Sequence, residues 1–318
     1  MAEHDHGYRR LFSHPEMVAD LLRGFVREAW VHELDFSTLE RVPDTYTTRK
    51  LRSRRESDVV WRVRWGKDRW LYVYLLLEFQ STVDPFMALR FMVYLGLFYQ
   101  NLLRHHELTP DGKLPPVLPL LLYNGRAPWG AVLDVSELID RVPGGLEQYR
   151  PQLRYCLLDE ERIADSELES LRNLAAALFR LEKSRGPQDI ERVLAALLDW
   201  LGEPELAELK RSFADWITEV LLPGRAPGIK IPQVADLQEV KSMLAERVIE
   251  WTQQWKQEGL EEGLEKVREV FLQELERRFG PLPESVRRWV GKIASIEELA
   301  KLGVRIGAAS SIADLGIC

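Results

Sequence analysis

Three polar residues stand out because each falls at the end of a stretch otherwise built for burial. Asp58 opens the run Ser57–Trp65 (SDVVWRVRW), while Glu78 and Gln80 close the run Trp70–Ser81 (WLYVYLLLEFQS). Side chains alternate along a strand, so Glu78 and Gln80 share one face and Phe79 takes the other. The short polar turn Gly66-Lys67-Asp68-Arg69 predicts an antiparallel hairpin. A three-residue loop centred on Asp68 sets Asp58 opposite Glu78; a two-residue loop shifts the pairing by one. Two carboxylates about 4 Å apart repel by about 4 kcal/mol at an effective dielectric of about 20, and burial adds a desolvation penalty. A divalent cation resolves that conflict: Mg²⁺ takes one or two carboxylates and keeps waters that can attack a phosphate. The Phe79 carbonyl offers a further oxygen. The competing reading is a strand end where polar residues emerge into solvent, and Ser81 suits it by continuing the polar run.

Holding such residues in place requires a sheet with cover on its faces. The second run is almost continuously apolar, as expected of a strand buried on both sides. Apolar spacings of three and four predict a helix over 8–29. Leu39–Arg49, rich in β-branched and aromatic residues, is read as extended. Asp84-Pro85 opens a long helix reaching about His105, with a stripe that includes Phe91, Leu95, Phe98 and Leu102 as core. Val117–Tyr123 (VLPLLLY) is another buried strand, ended by Asn124-Gly125. The order is α-β-β-β-α-β, a mixed sheet flanked by helices. Residues 130–165 read as irregular. Helices are predicted over 166–184, 187–201 and 204–222, with Pro187 and Pro204 as start signals and Gly202 as a stop. Three Pro and two Gly within Leu222–Pro232 mark a boundary, and beyond it everything reads as helical. Gly259 and Gly263 lie four apart on one helix face, Gly280-Pro281 ends a helix, and Ser295 with Glu298 forms a capping box.

Composition narrows the function classes. In 318 residues, 46% are hydrophobic and 29% charged, the mix of a globular chain rather than a disordered or fibrous one. Two cysteines, Cys156 and Cys318, make neither a disulfide framework nor a four-ligand zinc site by themselves. The start, MAEHDHGYRRLF, lacks the apolar region of a signal peptide. The most apolar stretch falls well short of the roughly 20 residues of a membrane span. A soluble, cytoplasmic protein is the expectation. The net charge of −7 argues against a protein that merely coats nucleic acid. From Arg41 to Arg69, however, ten basic residues face four acidic ones, and a local patch of that kind focuses polyanions. Asp159, after the apolar Tyr155–Leu158, either caps a strand or adds a late acidic ligand. No Walker loop, Rossmann glycine pattern, Ser-His-Asp spacing or HExxH is present.

One set of residues carries a resemblance. His4-Asp5 with Tyr8–Phe12 (YRRLF), Ser57-Asp58, Leu76–Thr82 (LLEFQST) and Met87-Ala-Leu-Arg90 with Tyr94 come first. Leu114-Pro115, Leu122-Tyr123-Asn124-Gly125 and Trp129 complete the set. In that order, over about the first 130 residues, the chain resembles the YhgA-like family of recombination-promoting nucleases and transposases, a branch of the PD-(D/E)XK nuclease superfamily. The tail from Leu275 to Leu315 is similar to a small helical domain of unknown function often appended to these proteins.

The resemblance implies an α/β fold: a restriction-endonuclease-like core, a mixed sheet flanked by helices, followed by an all-helical C-terminal region. It implies a metal-dependent DNA endonuclease in which Asp58 and Glu78 are ligands for Mg²⁺, with Mn²⁺ able to substitute, and Gln80 completes the catalytic set. Gln80 stands where the superfamily usually has a Lys; its amide orients water but carries no charge. Phe79 and Asn124 stand where many relatives have His. DNA contacts are expected from Arg49, Lys50, Arg52, Arg54 and Arg55, and from Arg90, for which a surface salt bridge is the competing role. The organisation implied is a nuclease core over 1–165, a helical extension over 166–222, and a Pro/Gly linker over 223–234. A charged connecting helix over 235–265 and a small helical domain over 266–318 follow. DNA is the expected partner, with homodimer contacts offered by the C-terminal helices and no role for a membrane. Two rivals stay open: a catalytically silent DNA-binding relative, and a helical interaction or regulatory protein without a nucleic-acid role.

Overall fold

The computed structural model describes residues 2–43, 58–66, 69–78, 83–125, 127–141, 144–225, 231, 234, 236–293 and 295–306. Five strands form one sheet in the order in which they occur in the chain. They are β1 (Leu34–Arg41), β2 (Asp58–Trp65), β3 (Arg69–Glu78), β4 (Val117–Tyr123) and β5 (Cys156–Asp159). The first three are antiparallel neighbours, and β4 and β5 continue parallel to β3. The apolar run of β3 explains its central place: Leu71 to Leu76 are all buried, which only a strand covered on both faces achieves.

Residues of even number on β3 face helix α3 (Met87–Arg104), whose Phe91, Leu95, Phe98 and Leu102 pack on Tyr72, Tyr74 and Leu76. The Tyr72 and Phe98 rings meet edge to face at 5.4 Å, a geometry favoured by the ring quadrupole. Helix α3 begins two residues after the expected Asp84-Pro85. The Asp84 carboxylate accepts a hydrogen bond from the Phe86 N–H at 2.9 Å, so these residues form the turn that leads into the helix.

The opposite face carries Val59, Trp61, Val63, Val73, Leu75, Leu120 and Leu122, all buried. The single helix expected over 8–29 is two: α1 (Ala2–Leu11) and α2 (Pro15–Phe25). Pro15 is the reason, because it holds the residue before it out of helical geometry, and His14 is extended at φ −97°, ψ 132°. On this side the Trp61 indole donates to the Phe12 carbonyl at 3.0 Å.

The stretch read as irregular contains β5. After it come α4 (Asp165–Ser170), α5 (Leu174–Glu182), α6 (Pro187–Trp200) and α7 (Ala207–Trp216), which continues through a π-helical turn and a last turn to Arg225. The helix expected over 166–184 is divided because Asn173 caps α5. Its side chain accepts from the Ala176 N–H at 2.8 Å and donates to the Asp20 carbonyl at 2.7 Å.

The chain divides into two compact units, Met1–Glu246 and Arg247–Cys318. Helix α8 (Leu237–Phe279) runs unbroken through Gly259 and Gly263. In the second unit Leu264, Phe271 and Leu275 of α8 share a core with Val286 and Val290 of α9 (Glu284–Gly291) and Leu299 of α10 (Ile296–Ile306). Gly280, at φ +80°, stops α8 in the left-handed conformation that glycine adopts without strain. The chain is thus an α/β protein with a mixed sheet between helices, followed by a helical region, as its sequence implies. Among the described residues no helix is long and apolar enough to cross a membrane.

Candidate active site

The β2–β3 ladder pairs Trp65 with Arg69 and Asp58 with Leu76. The loop therefore has three residues, but it is centred on Lys67 and not on Asp68, because Arg69 already belongs to the ladder. Gly66, at φ +65°, leads the chain out of β2 in the left-handed conformation. Asp58 is consequently not opposite Glu78, which stands two residues beyond Leu76. Alternation puts both positions on the α3 face, the side to which Val60, Tyr74 and Leu76 belong. Diagonal neighbours of this kind lie about 7–8 Å apart, against about 5 Å for a direct pair.

The parallel ladders extend this arrangement into a row. Glu78 pairs with Tyr123, and Tyr123 pairs with Asp159. The start of β2 and the ends of β3, β4 and β5 thus come together at one end of the sheet. The Asp159 side chain is only 11% exposed. One of its oxygens accepts a long hydrogen bond from the Trp129 N–H at 3.4 Å, and Arg162 lies 4.0 Å away. The other, Oδ1, is buried with no hydrogen-bond partner among the described residues. A buried carboxylate oxygen left unsatisfied is uncommon in folded proteins, and it is the donor type that hard divalent cations take. Among the described residues, no three His, Cys, Asp or Glu side chains gather as a metal-binding group.

Aromatic residues wall this end. Trp129 donates from its indole to the Tyr155 hydroxyl at 2.9 Å, and Tyr155 donates in turn to the Val132 carbonyl at 3.1 Å. Burial, reinforced by the nearby Asp84 charge, pushes the Tyr155 hydroxyl up to about 12, so it stays protonated and serves as a fixed donor. Tyr123 donates to the Ala127 carbonyl at 2.8 Å. A Cβ at Gly125 would fall 2.1 Å from the Tyr123 hydroxyl oxygen, so the Asn124-Gly125 step has a steric reason: only glycine leaves room for that ring.

Arg90, expected at a phosphate, is ion-paired with Asp84 at 3.1 Å, with its guanidinium 5.8 Å from the centre of the Tyr94 ring. Gln80 and the basic Arg49, Lys50, Arg52, Arg54 and Arg55 lie outside the described residues.

Behind the row, on the other face of the sheet, is a buried cluster with no counterpart in the sequence reading. Tyr8 donates to Glu160, the residue after Asp159, at 3.1 Å, and also hydrogen-bonds Asn124, the residue after Tyr123. Burial and the neighbouring Glu182 hold the Glu160 carboxyl well above the usual range. Burial likewise raises Glu182, to about 7, against the opposing effect of Arg225. These groups span 8 to 225 in the chain, and no local spacing signals their meeting. Asp159 had a weak signal, an acid after an apolar run, but a four-residue strand leaves too short a pattern to place it.

Fold and site together define an α/β protein with acidic positions aligned at the carboxyl ends of its parallel strands. The family described as "Putative transposase, YhgA-like" matches residues 2–210, and the chain belongs to that family. It is 29% identical over 127 residues to recombination-promoting nuclease RpnD of Escherichia coli O157:H7, covering 40% of this chain and 47% of that protein. It is 34% identical over 123 residues to recombination-promoting nuclease RpnA of Escherichia coli K12, covering 38% of this chain and 40% of that protein. A third relative, 28% identical over 173 residues, is the inactive recombination-promoting nuclease-like protein RpnE of the same strain, with 54% of this chain and 55% of that protein covered. The chain spans about half the length of the curated relatives it matches. No solved structure matches it.

Proposed function

We propose that the chain is a metal-dependent DNA endonuclease that hydrolyses phosphodiester bonds in recombination or in the handling of mobile elements. The observation that carries this reading is the placement of Asp58 and Glu78 on one face at the sheet's end, in line with the buried, unsatisfied Oδ1 of Asp159. Membership of a family whose relatives are named recombination-promoting nucleases supports it. Asp58 and Glu78 would hold Mg²⁺, for which Mn²⁺ substitutes. When bound, such an ion supplies charge neutralisation at the phosphate and eases deprotonation of the attacking water. Gln80 orients that water through its amide, and the basic segment from Arg49 to Arg55 draws the DNA backbone to the site. Holding water and phosphate in line carries most of the rate. The C-terminal helices offer dimer contacts, which would let two sites cut the two strands of a duplex.

A second reading is favoured by one observation, the relative named as inactive. In that case the fold and DNA binding persist without cleavage. Supercoiled plasmid incubated with Mg²⁺, Mn²⁺ or EDTA, beside Asp58→Ala and Glu78→Ala, separates the two. Metal-dependent nicking lost in both variants is the expected result. A folded wild type that binds DNA but cuts nothing in either metal makes the silent reading correct.

A further inference from the structure

Helix α3 is apolar on more than the face it packs against the sheet. Phe91, Leu95, Phe98 and Leu102 turn inward, yet the opposite side reads Phe86, Leu89, Val93, Gly96, Gln100 and Leu103, all exposed. Phe86, Leu89, Val93 and Leu103 keep 56%, 40%, 47% and 50% of their surface in solvent. A surface helix ordinarily carries charged and polar residues there, and one that is apolar all round is a covered one. At roughly 200 Å² for a whole residue of this size, the exposed parts of these four come to about 400 Å². A patch of that extent on a monomer commonly has a function.

The spacing says what covers it. From Phe86 to Leu103 the intervals are three, four, three, four and three residues, the heptad rhythm of a helix that packs along another helix. The same six positions complement themselves when a second α3 lies antiparallel. Phe86 then meets Leu103 of the second copy, Leu89 meets Gln100, and Val93 meets Gly96, each pair formed twice about a two-fold axis. Gly96 makes room for Val93 in the central layer: a Cβ there would meet no atom within 4 Å among the described residues. Glycine weakens a helix interior, and the chain's own packing gives no reason for it here, whereas close approach of a second helix does.

Charge selects the antiparallel sense. The only charged residues within α3 are Arg90 and Arg104. A parallel pair sets Arg104 beside Arg104, while the antiparallel pair sets it beside the turn at Asp84-Pro85 of the second copy, where the Asp84 side chain is 29% exposed. Two such faces bury about 1,000 Å² once Leu97, Gln100 and the helix flanks are counted, the lower bound of a specific interface.

We propose that this face of α3 binds α3 of a second copy of the chain, antiparallel, through the seam from Phe86 to Leu103. The pairing belongs to the first unit, uses none of the C-terminal helices and does not depend on the nuclease reading. Its modest area makes the dimer reversible rather than obligate.

The test uses the full chain carrying Cys156→Ser and Cys318→Ser, so that introduced thiols are the only ones. Leu89→Cys and Gln100→Cys are made separately, treated with oxidised glutathione alone and as an equal mixture, and read on a non-reducing gel. In the antiparallel pair Leu89 lies opposite Gln100 of the second copy. Like positions are then offset by about 16 Å along the helix, beyond the reach of a disulfide. The mixture is therefore expected to cross-link, and each variant alone is not. The reverse pattern gives a parallel pair and overturns the proposal, as does a cross-link in no sample. By light scattering from about 1 to about 100 µM, Leu89→Glu/Val93→Glu is expected to show half the wild-type mass with an unchanged circular dichroism spectrum. Equal masses overturn the pairing. So does a monomeric wild type throughout that range; if its Leu89→Cys thiol also resists a maleimide, the face is covered from within the chain.

Discussion

Asp58 and Glu78 are not partners across the hairpin: Asp58 pairs with Leu76, and Glu78 stands one step further along the same face of β3. The offset spaces two like charges without separating them to different faces. In the proposed site both would hold one ion, and that reading predicts how the chain behaves when none is bound.

Removing one charge should relieve the folded chain while abolishing the proposed metal-dependent cleavage. In EDTA, Asp58→Asn is expected to melt at or a few degrees above wild type, since about 1 kcal/mol moves a unit of this size by about 2–4 °C. Mg²⁺ should then raise the melting temperature of wild type and leave the variant unmoved, because only a bound ligand stabilises by mass action. Equal Mg²⁺ shifts in the two proteins would remove Asp58 from the ion site.

Asp159→Asn keeps the Trp129 N–H contact and loses only the charge at the end of the row. We expect little change in stability and a fall in metal-dependent cleavage of about tenfold, roughly 1.4 kcal/mol in the barrier. A single-turnover cleavage rate equal to that of wild type would confine the site to β2 and β3.

Gly125→Ala drives a methyl group into the Tyr123 ring. Overpacking of this kind costs about 1–3 kcal/mol, so the melting temperature should drop by several degrees, with partial recovery when Tyr123→Leu is added. An alanine variant that melts with wild type would mean that the ring has an alternative seat.

The buried carboxyl cluster makes stability depend on pH with a definite sign. Glu182 titrates at about 7 in the folded chain and at its ordinary lower value when unfolded. The folded state therefore holds a proton that the unfolded state releases. Stability from this group is complete below the ordinary carboxylate range and is lost as pH rises toward about 7. The loss is at most about 3 kcal/mol, and Glu160, shifted in the same direction, adds to it. Thermal melts from acid to neutral pH should show wild type losing stability more steeply than Glu182→Gln. Parallel curves would show that Glu182 is not held protonated by its surroundings.

What could be read before the fold was known follows from how locally each feature is encoded. Strands β2, β3 and β4 were legible because β-branched, aromatic and leucine runs bounded by Gly and Asn signal themselves within ten residues. Strand β5 was not, since four residues carry too little periodicity. The breaks at Pro15 and Asn173 turn on single residues inside otherwise helical patterns, where a long apolar stripe outweighs one local exception. The hairpin was foreseen but not its register, which depends on whether Arg69 joins the loop or the ladder. Asp58 and Glu78 were singled out by type and spacing. The meeting of Tyr8 with Glu160 is created only by the fold, so no window of sequence contains it.

The sheet's strands are laid down in the order in which they are made. Each strand lies beside its neighbours in the chain, although residues 79–116 separate β3 from β4 and residues 124–155 separate β4 from β5. The clasp between Tyr8 and Glu160 closes 152 residues of chain, and the contact of His14 with Ser212 closes 198. During synthesis, a nascent chain that has reached Tyr123 owns Asp58 and Glu78 but neither Asp159 nor the residue that ties α1 to the sheet. Assembly of the row and closure of the clasp then come with the same two residues, Asp159 and Glu160, once β5 is made.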